Sequence, residues 1–337
     1  MTAASRRASA GAALLLLALA KAGRPADFSQ AAVGSSGSQF LTIDAGARGA
    51  AMAGAYSALS DDAFSMYWNP AGLANIQDAS LGLMSNQYLA GINYYYAAYA
   101  HRLPASAGGV LGASLRYLDV GNITQTDVDG ATIGTFHPRS FAYELGYGRP
   151  IEELENLADV VLIGASVRYI RSNIAGATAS ALAGDIGVQV HSDSPRFFPY
   201  HYGVVAQNLG KGQKFDQQRD PLPTQARLGG AVDFSPEFTL SAEGVIPNSN
   251  SAYGLLGTEL SVRPFDEAKI SFRGGVQSNS FSNGVSGFRG FDFGIGLMLS
   301  RFSFDYAFVP YGNLGNTNTF SLTVNFGAPE TKKYRER

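Results

Sequence analysis

From Ala79 to Phe326 the chain alternates apolar residues with polar or small ones, period two, in about fourteen separate runs. In the clearest, Val161, Ile163, Ala165, Val167 and Tyr169 interleave with Leu162, Gly164, Ser166 and Arg168, and Phe302, Phe304, Tyr306 and Phe308 with Ser303, Asp305 and Ala307. Such alternation puts every second side chain on one face of a sheet. The runs span 79–87, 92–102, 109–119, 140–149, 160–171, 181–191, 200–208, 224–234, 237–246, 253–262, 269–277, 290–299, 302–310 and 318–326. Most approach the roughly 9–11 residues that a tilted strand needs to cross a bilayer. Soluble sheets favour strands of about 5–6 residues.

The two faces differ in kind. One stays apolar in nearly every run. The other carries Gly and Ser with single charges: Arg116, Glu144, Arg168, Asp185, Arg227, Glu243, Glu259, Arg273, Asp292 and Asp305. Charges of mixed sign can pair across a lumen, whereas on a lipid face each costs up to several kcal/mol. Aromatics collect near run ends, at Tyr117, Tyr169, Phe234, Phe302 and Phe326, as interfacial girdles require. Charged residues make up 15% of the chain, against about 25% in soluble domains. A secreted sandwich or propeller would need a solvated, charge-bearing face instead. The reading is therefore an all-β membrane protein, an up-and-down transmembrane barrel of about fourteen antiparallel strands over residues 77–326. The links after the third, seventh and eleventh runs are long and those after the second, eighth and twelfth short, the loop-and-turn asymmetry of such barrels. Ile151 to Asp159 departs from it and reads as a short acidic helix.

Residues 1–22 read as a secretory signal peptide: Arg6 and Arg7, an apolar core from Gly11 to Ala20, then small residues. Export by a Sec-type route to a Gram-negative-type outer membrane follows as the expectation. Residues 23–41 read as a flexible segment and 327–337 as a tail. Leu111–Tyr117 nearly repeats as Ile163–Tyr169, which common strand grammar explains without duplication.

Residues 42–76 break the alternation. Asp44 to Leu59 is rich in Ala, Gly and Met and suits one or two short helices. Ser60-Asp61-Asp62 resembles an N-cap for a helical turn through Tyr67, which Asn69-Pro70-Ala71-Gly72 stops. A fourteen-stranded barrel is too wide for its own side chains to fill. This segment is expected to plug it, the alternative being a periplasmic cap.

Asp44-Ala45-Gly46-Ala47-Arg48-Gly49-Ala50-Ala51-Met52-Ala53-Gly54-Ala55, followed by Asp61-Asp62 and Tyr67-Trp68-Asn69-Pro70-Ala71-Gly72-Leu73, resembles the N-terminal signature of the PorV/PorQ family. That family is a branch of the FadL-like fourteen-stranded outer-membrane barrels, and the resemblance is specific over residues 40–100. It implies a hatch inside the lumen, with Arg48, Met52, Trp68, Asn69, Pro70, Ala71 and Gly72 as its motif. It also implies a role in type IX protein secretion, with secretion components or exported cargo as partners.

The chemistry of an enzyme is not written in the chain. It has no Cys, so no thiolate metal site or Cys nucleophile. His101, His137, His191 and His201 lack metal-ligand spacing, and no nucleophile elbow, Walker loop or dinucleotide fingerprint appears. No cofactor is expected. A net charge of −2 gives no field for nucleic acid. The leading expectation is a non-enzymatic accessory of secretion or surface attachment, in contact with outer-membrane lipid. The alternative is a transporter of hydrophobic small molecules, with an apolar lumen pocket near the hatch that involves Met52, Phe64 and Met84. A structural barrel or general porin is the third reading.

Overall fold

The computed structural model describes residues 32–151, 159–192, 198–265, 267–281 and 285–327. The expected signal peptide, residues 152–158 of the expected acidic helix and nearly all of the tail lie outside the described residues. The strands are β1 (Ala79–Gln87), β2 (Asn93–Arg102), β3 (Val110–Asp119), β4 (Ile123–Thr126), β5 (Thr132–Phe136), β6 (Arg139–Pro150), β7 (Asp159–Ile174), β8 (Ala177–Ser192) and β9 (Tyr200–Lys211). There follow β10 (Gln213–Lys214), β11 (Arg219–Asp220), β12 (Gln225–Ser235), β13 (Phe238–Pro247), β14 (Tyr253–Phe265), β15 (Ala268–Gln277), β16 (Phe291–Leu299), β17 (Phe302–Pro310) and β18 (Asn316–Phe326).

Fourteen of these close into one antiparallel barrel, each paired with its neighbours in sequence, and β1 seals it against β18. Leu83 faces Leu322 on one side and Ala97 on the other, so the ladder has no free edge. Closure lets a sheet cross a membrane, because no backbone group is left unpaired in hydrocarbon. The remaining four strands form two small hairpins, β4–β5 and β10–β11, inside long links at one end of the barrel. The start of β1 and the end of β18 lie at the other end, where Ala79 faces Phe326. Two of that end's connections are tight, at 236–237 and 300–301. On the loop side, β7 turns into β8 through Ala175 and Gly176, both at positive φ, the conformation of a two-residue hairpin.

The alternation sorts side chains as the sequence implies. Outward residues such as Leu115, Tyr143, Leu145, Leu228, Phe272, Phe293, Phe304 and Phe320 are all exposed, an apolar belt that water would not tolerate and lipid does. Tyr95, Tyr117, Phe141 and Tyr143 stack from strand to strand along the wall. Phe198, Phe234 and Phe238 form a second cluster, at the end where β1 begins and β18 ends.

The hatch occupies the interior. It comprises a 3₁₀ turn at Gln39–Thr42, a helix at Ala47–Ala51, turns, a helix at Ser65–Trp68 and a 3₁₀ helix at Pro70–Asn75. The second helix starts later than Ser60-Asp61-Asp62 suggests. Asp62 nevertheless caps the turn leading into it, its Oδ1 accepting the Phe64 N–H at 2.8 Å. Of residues 23–41, which read as flexible, 23–31 lie outside the described residues; within the rest, Phe40 and Leu41 are buried at 5% and 2%, Gly37 N–H donates to Pro221 O, and Ser38 Oγ donates to Gln213. The apolar pair Phe40-Leu41, masked by its small-residue surroundings, draws this stretch into the packing.

Candidate functional site

The inner wall makes room for the hatch with glycine. A Cβ built on Gly203 would lie 2.6 Å from the Ser57 carbonyl oxygen, one on Gly148 2.8 Å from that of Pro70, and one on Gly257 2.8 Å from that of Met52. Gly164 and Gly275 meet hatch backbone more closely still, at Pro70 and at Met52–Ala53. These glycines belong to β9, β6, β14, β7 and β15, so the hatch backbone rests directly on the wall on several sides. Glycine in a strand interior costs stability unless another backbone comes close, and here it does.

Polar side chains then lock the hatch to that wall. Ser57 donates from N and Oγ to Glu243 Oε2, at 2.9 and 2.7 Å. Gln189 Nε2 donates to the carbonyls of Ser57 and Ser60. Gln207 Nε2 donates to Tyr67 O and Arg227 Nη2 to Gly54 O. Ser321 and Ser80 accept the N–H groups of Ala47 and Ala63. These groups satisfy backbone that short helices leave open.

Within the hatch motif, Asn69 is a staple. Its Oδ1 accepts the Ala71 N–H at 3.1 Å, capping the 3₁₀ helix that Pro70 begins, and its Nδ2 donates to Ser57 O and to Val188 O on β8. Ala71 packs with Ala74 against Leu162 of β7. Gly72 lies against Ser60 and Ser65, where a Cβ would clash. Trp68 is fully buried and its Nε1 donates to Ala45 O at 2.8 Å. Arg48 pairs with Glu259 of β14 at 2.9 Å and with Asp61 at 3.1 Å.

The ten charged residues of the inward face are all buried, and nine of them pair in three groups. In the first, Glu144 accepts from Arg116 at 3.0 Å and Arg168 at 2.7 Å, and also from Ser114 and Ser166. The near-repeat Leu111–Tyr117 and Ile163–Tyr169 thus supplies matching Ser and Arg from strands on either side of β6. Arg168 continues to Asp185 at 2.6 Å and to Asn208. There the β8–β9 register shifts, Asn208 takes positive φ, and its N–H donates to Asp185 Oδ1. This bulge leaves Gln207 and Asn208 both buried. The second group is Arg227 with Glu243, and the third joins Glu259, Arg273 and Asp305 with Arg48 and Lys269. Asp292 stands apart from all three.

On the loop side of the hatch lies a cavity of about 440 Å³. Ala50, Ala53 and Gly54 of the hatch line it, with Asp44, Arg227, Asp292, Gln225, Gln277, Thr317 and the rings of Tyr88, Tyr253 and Tyr311. Asp44 accepts from Tyr67 OH at 3.2 Å. Burial pushes its carboxyl up to about 6, against the opposing pull of Arg227 and Tyr67. The expected apolar pocket is not what this lumen holds. Met52, Phe64 and Met84 are buried at 0%, 4% and 5% within one hydrophobic cluster and do not line the cavity. They are consumed in seating the hatch. The cavity's tyrosines and its glutamines escaped sequence reasoning, though each sits at a strand end or in a short turn. His191 and His201 face each other across β8 and β9, Nδ1 to Nδ1 at 2.8 Å, and His201 reaches Asp233 at 3.1 Å. No group of three metal-ligating side chains occurs among the described residues.

A family model described as type IX secretion system protein PorV matches residues 27–241. No curated protein sequence matches the chain. Among solved structures it is similar to the toluene transporter TbuX of Ralstonia pickettii, at 12% identity and TM-score 0.54, over 85% of this chain and 100% of that one. It is also similar to the toluene transporter TodX of P. putida, at 11% identity and TM-score 0.52, over 84% and 98% of the two chains. A FadL homologue of Pseudomonas aeruginosa matches at 10% identity and TM-score 0.51, over 85% and 99%. At these identities the likeness is one of fold.

Proposed function

The chain belongs to the PorV family, and on that premise we propose that it is a non-enzymatic accessory of protein secretion or surface attachment at the outer membrane. The observation that carries the reading is how the hatch is held. A conduit needs a plug that moves, and this one rests on inner-wall glycines and is bonded to β8, β9, β12, β13, β14 and β18. A sealed barrel serves by what it presents outside. The link between β3 and β6 carries the β4–β5 hairpin with Ile123, Val128 and Ile133 exposed, apolar surface that suits a protein partner.

The second reading, a transporter of hydrophobic small molecules, has the fold of its structural neighbours and an internal cavity in its favour. The cavity's lining speaks against it: seating a hydrocarbon beside Asp44, Arg227 and Asp292 would strip water from charged groups and return no bond.

The test is affinity purification of the tagged barrel from native outer membranes in mild detergent. Co-purification of secretion components or exported proteins, with loss of surface proteins in a deletion strain, is expected. A barrel recovered alone from a strain whose surface proteins are unaffected overturns the reading. Loss of labelled hydrocarbon or fatty-acid uptake on deletion would move the assignment to the second one.

A further inference from the structure

We infer that the chamber above the hatch is a binding site for an organic cation, a protonated primary amine carried on an apolar or aromatic body, with Asp292 as its counter-ion. The inference stands apart from the secretion role and does not depend on it.

Asp292 lies on β16, two residues loop-ward of Gly294, and so on the same inner face, where Gly294 meets Ala51 of the hatch. It is 95% buried by its 5% exposure, and it lines the cavity. Among the described residues no hydrogen bond or ion pair reaches its carboxylate. The other nine charged residues named on the inner face each have a partner of opposite sign: Glu144 and Asp185 with Arg116 and Arg168, Glu243 with Arg227, Glu259 and Asp305 with Arg48 and Arg273. The one cation that lines the chamber among the described residues, Arg227, is engaged by Glu243 and by the Gly54 carbonyl. Asp44 faces the same space with only a tyrosine hydroxyl bound to it. The chamber therefore holds two carboxyl groups, Asp44 and Asp292, with no ion-pair partner of their own among the described residues. A buried carboxyl without a partner keeps its proton unless a cation is bound beside it, and an ammonium group in the chamber would stabilise the ionised form.

The size and the rest of the lining select the kind of cation. A divalent metal takes six or more oxygen ligands at close range, and no such cluster is present among the described residues. About 440 Å³ is room for a small organic molecule. Tyr88 and Tyr311, with ring centroids 6.1 Å apart, and Tyr253 offer aromatic faces to an ammonium group and to a hydrocarbon body. Gln277 and Thr317 add acceptors for the ammonium hydrogens.

The experiment compares benzylamine, toluene and benzoate, one ring carrying a positive, no and a negative charge, against the full-length barrel in a non-ionic detergent at neutral pH. Calorimetry should show saturable binding of benzylamine alone, weakened at least tenfold by Asp292→Asn and also weakened by Asp44→Asn. Benzylamine should raise the melting temperature of the unaltered protein while the other two leave it in place, a reading that needs no variant. Heat-modifiable migration identifies folded variants. No saturable benzylamine binding, equal binding of toluene, or unchanged affinity in folded Asp292→Asn overturns the proposal.

Discussion

Gly203 of β9 stands so near Ser57 of the hatch that a Cβ at residue 203 would lie 2.6 Å from the Ser57 carbonyl oxygen. Barrel wall and hatch are thus fitted at the level of backbone, and the hatch reads as a structural member of the barrel. Gly203→Val should displace Ser57 from Glu243 and Gln189 together. Overpacking of this kind costs about 1–3 kcal/mol. Limited proteolysis of the detergent-solubilised protein should find new cleavage between residues 44 and 73 in the variant. An unchanged digestion pattern would show that the hatch has slack the structure does not display.

Arg168 bridges Glu144, Asp185 and Asn208 with its side chain 1% exposed. Arg168→Met leaves buried Asp185 without an ion-pair partner and Glu144 with Arg116 alone, and should cost about 3–5 kcal/mol. Lys269 reaches Glu259 at 3.5 Å with 24% of its side chain exposed, and Lys269→Met should cost about 0–1 kcal/mol. Urea unfolding in micelles ranks the two, and equal losses would contradict this placement of the ion pairs.

Much of this was legible beforehand. Period two located all fourteen barrel strands, with no boundary displaced by more than four residues, because lipid outside and polar lumen inside impose it on every strand. The inward parity of Arg116, Glu144 and Arg168 could be read the same way. What those residues touch could not. Gly203 and Gly164 look like weak strand positions until the hatch, more than ninety residues away, is placed against them. The β8–β9 bulge left no mark, since Gln207-Asn208 interrupts the alternation no more than a loop would. Phe40-Leu41 was hidden by its glycines and serines, and Met52, Phe64 and Met84 have the composition of a ligand pocket while serving as packing.

Asp62 is buried inside the hatch, and burial together with the neighbouring Asp61 carboxylate pushes its carboxyl up to about 7, with Arg48 and the Phe64 N–H opposing. A raised carboxyl pKa favours the protonated form in the folded state. Its contribution is therefore full below the ordinary value of 3.8 and is lost as pH rises through about 7. Melting of the solubilised barrel between pH 4 and 8 should fall more steeply in the unaltered protein than in Asp62→Asn, with the variant the more stable at pH 8. Parallel curves would contradict this.

Trp68 is the one tryptophan, fully buried and edge-on to Tyr56 and Tyr67. Its emission reports the hatch, while circular dichroism near 215 nm reports the wall. On urea titration the two should change together. A tryptophan transition at clearly lower urea would mean that hatch and barrel unfold as separate units.

The central claim is that the hatch closes the lumen, and single-channel recording in planar bilayers addresses it most directly. The purified full-length protein should show no steady conductance, and deletion of residues 44–73 should open a stable pore. Steady conductance in the unaltered protein, or a deletion variant as silent as its parent, would contradict the account.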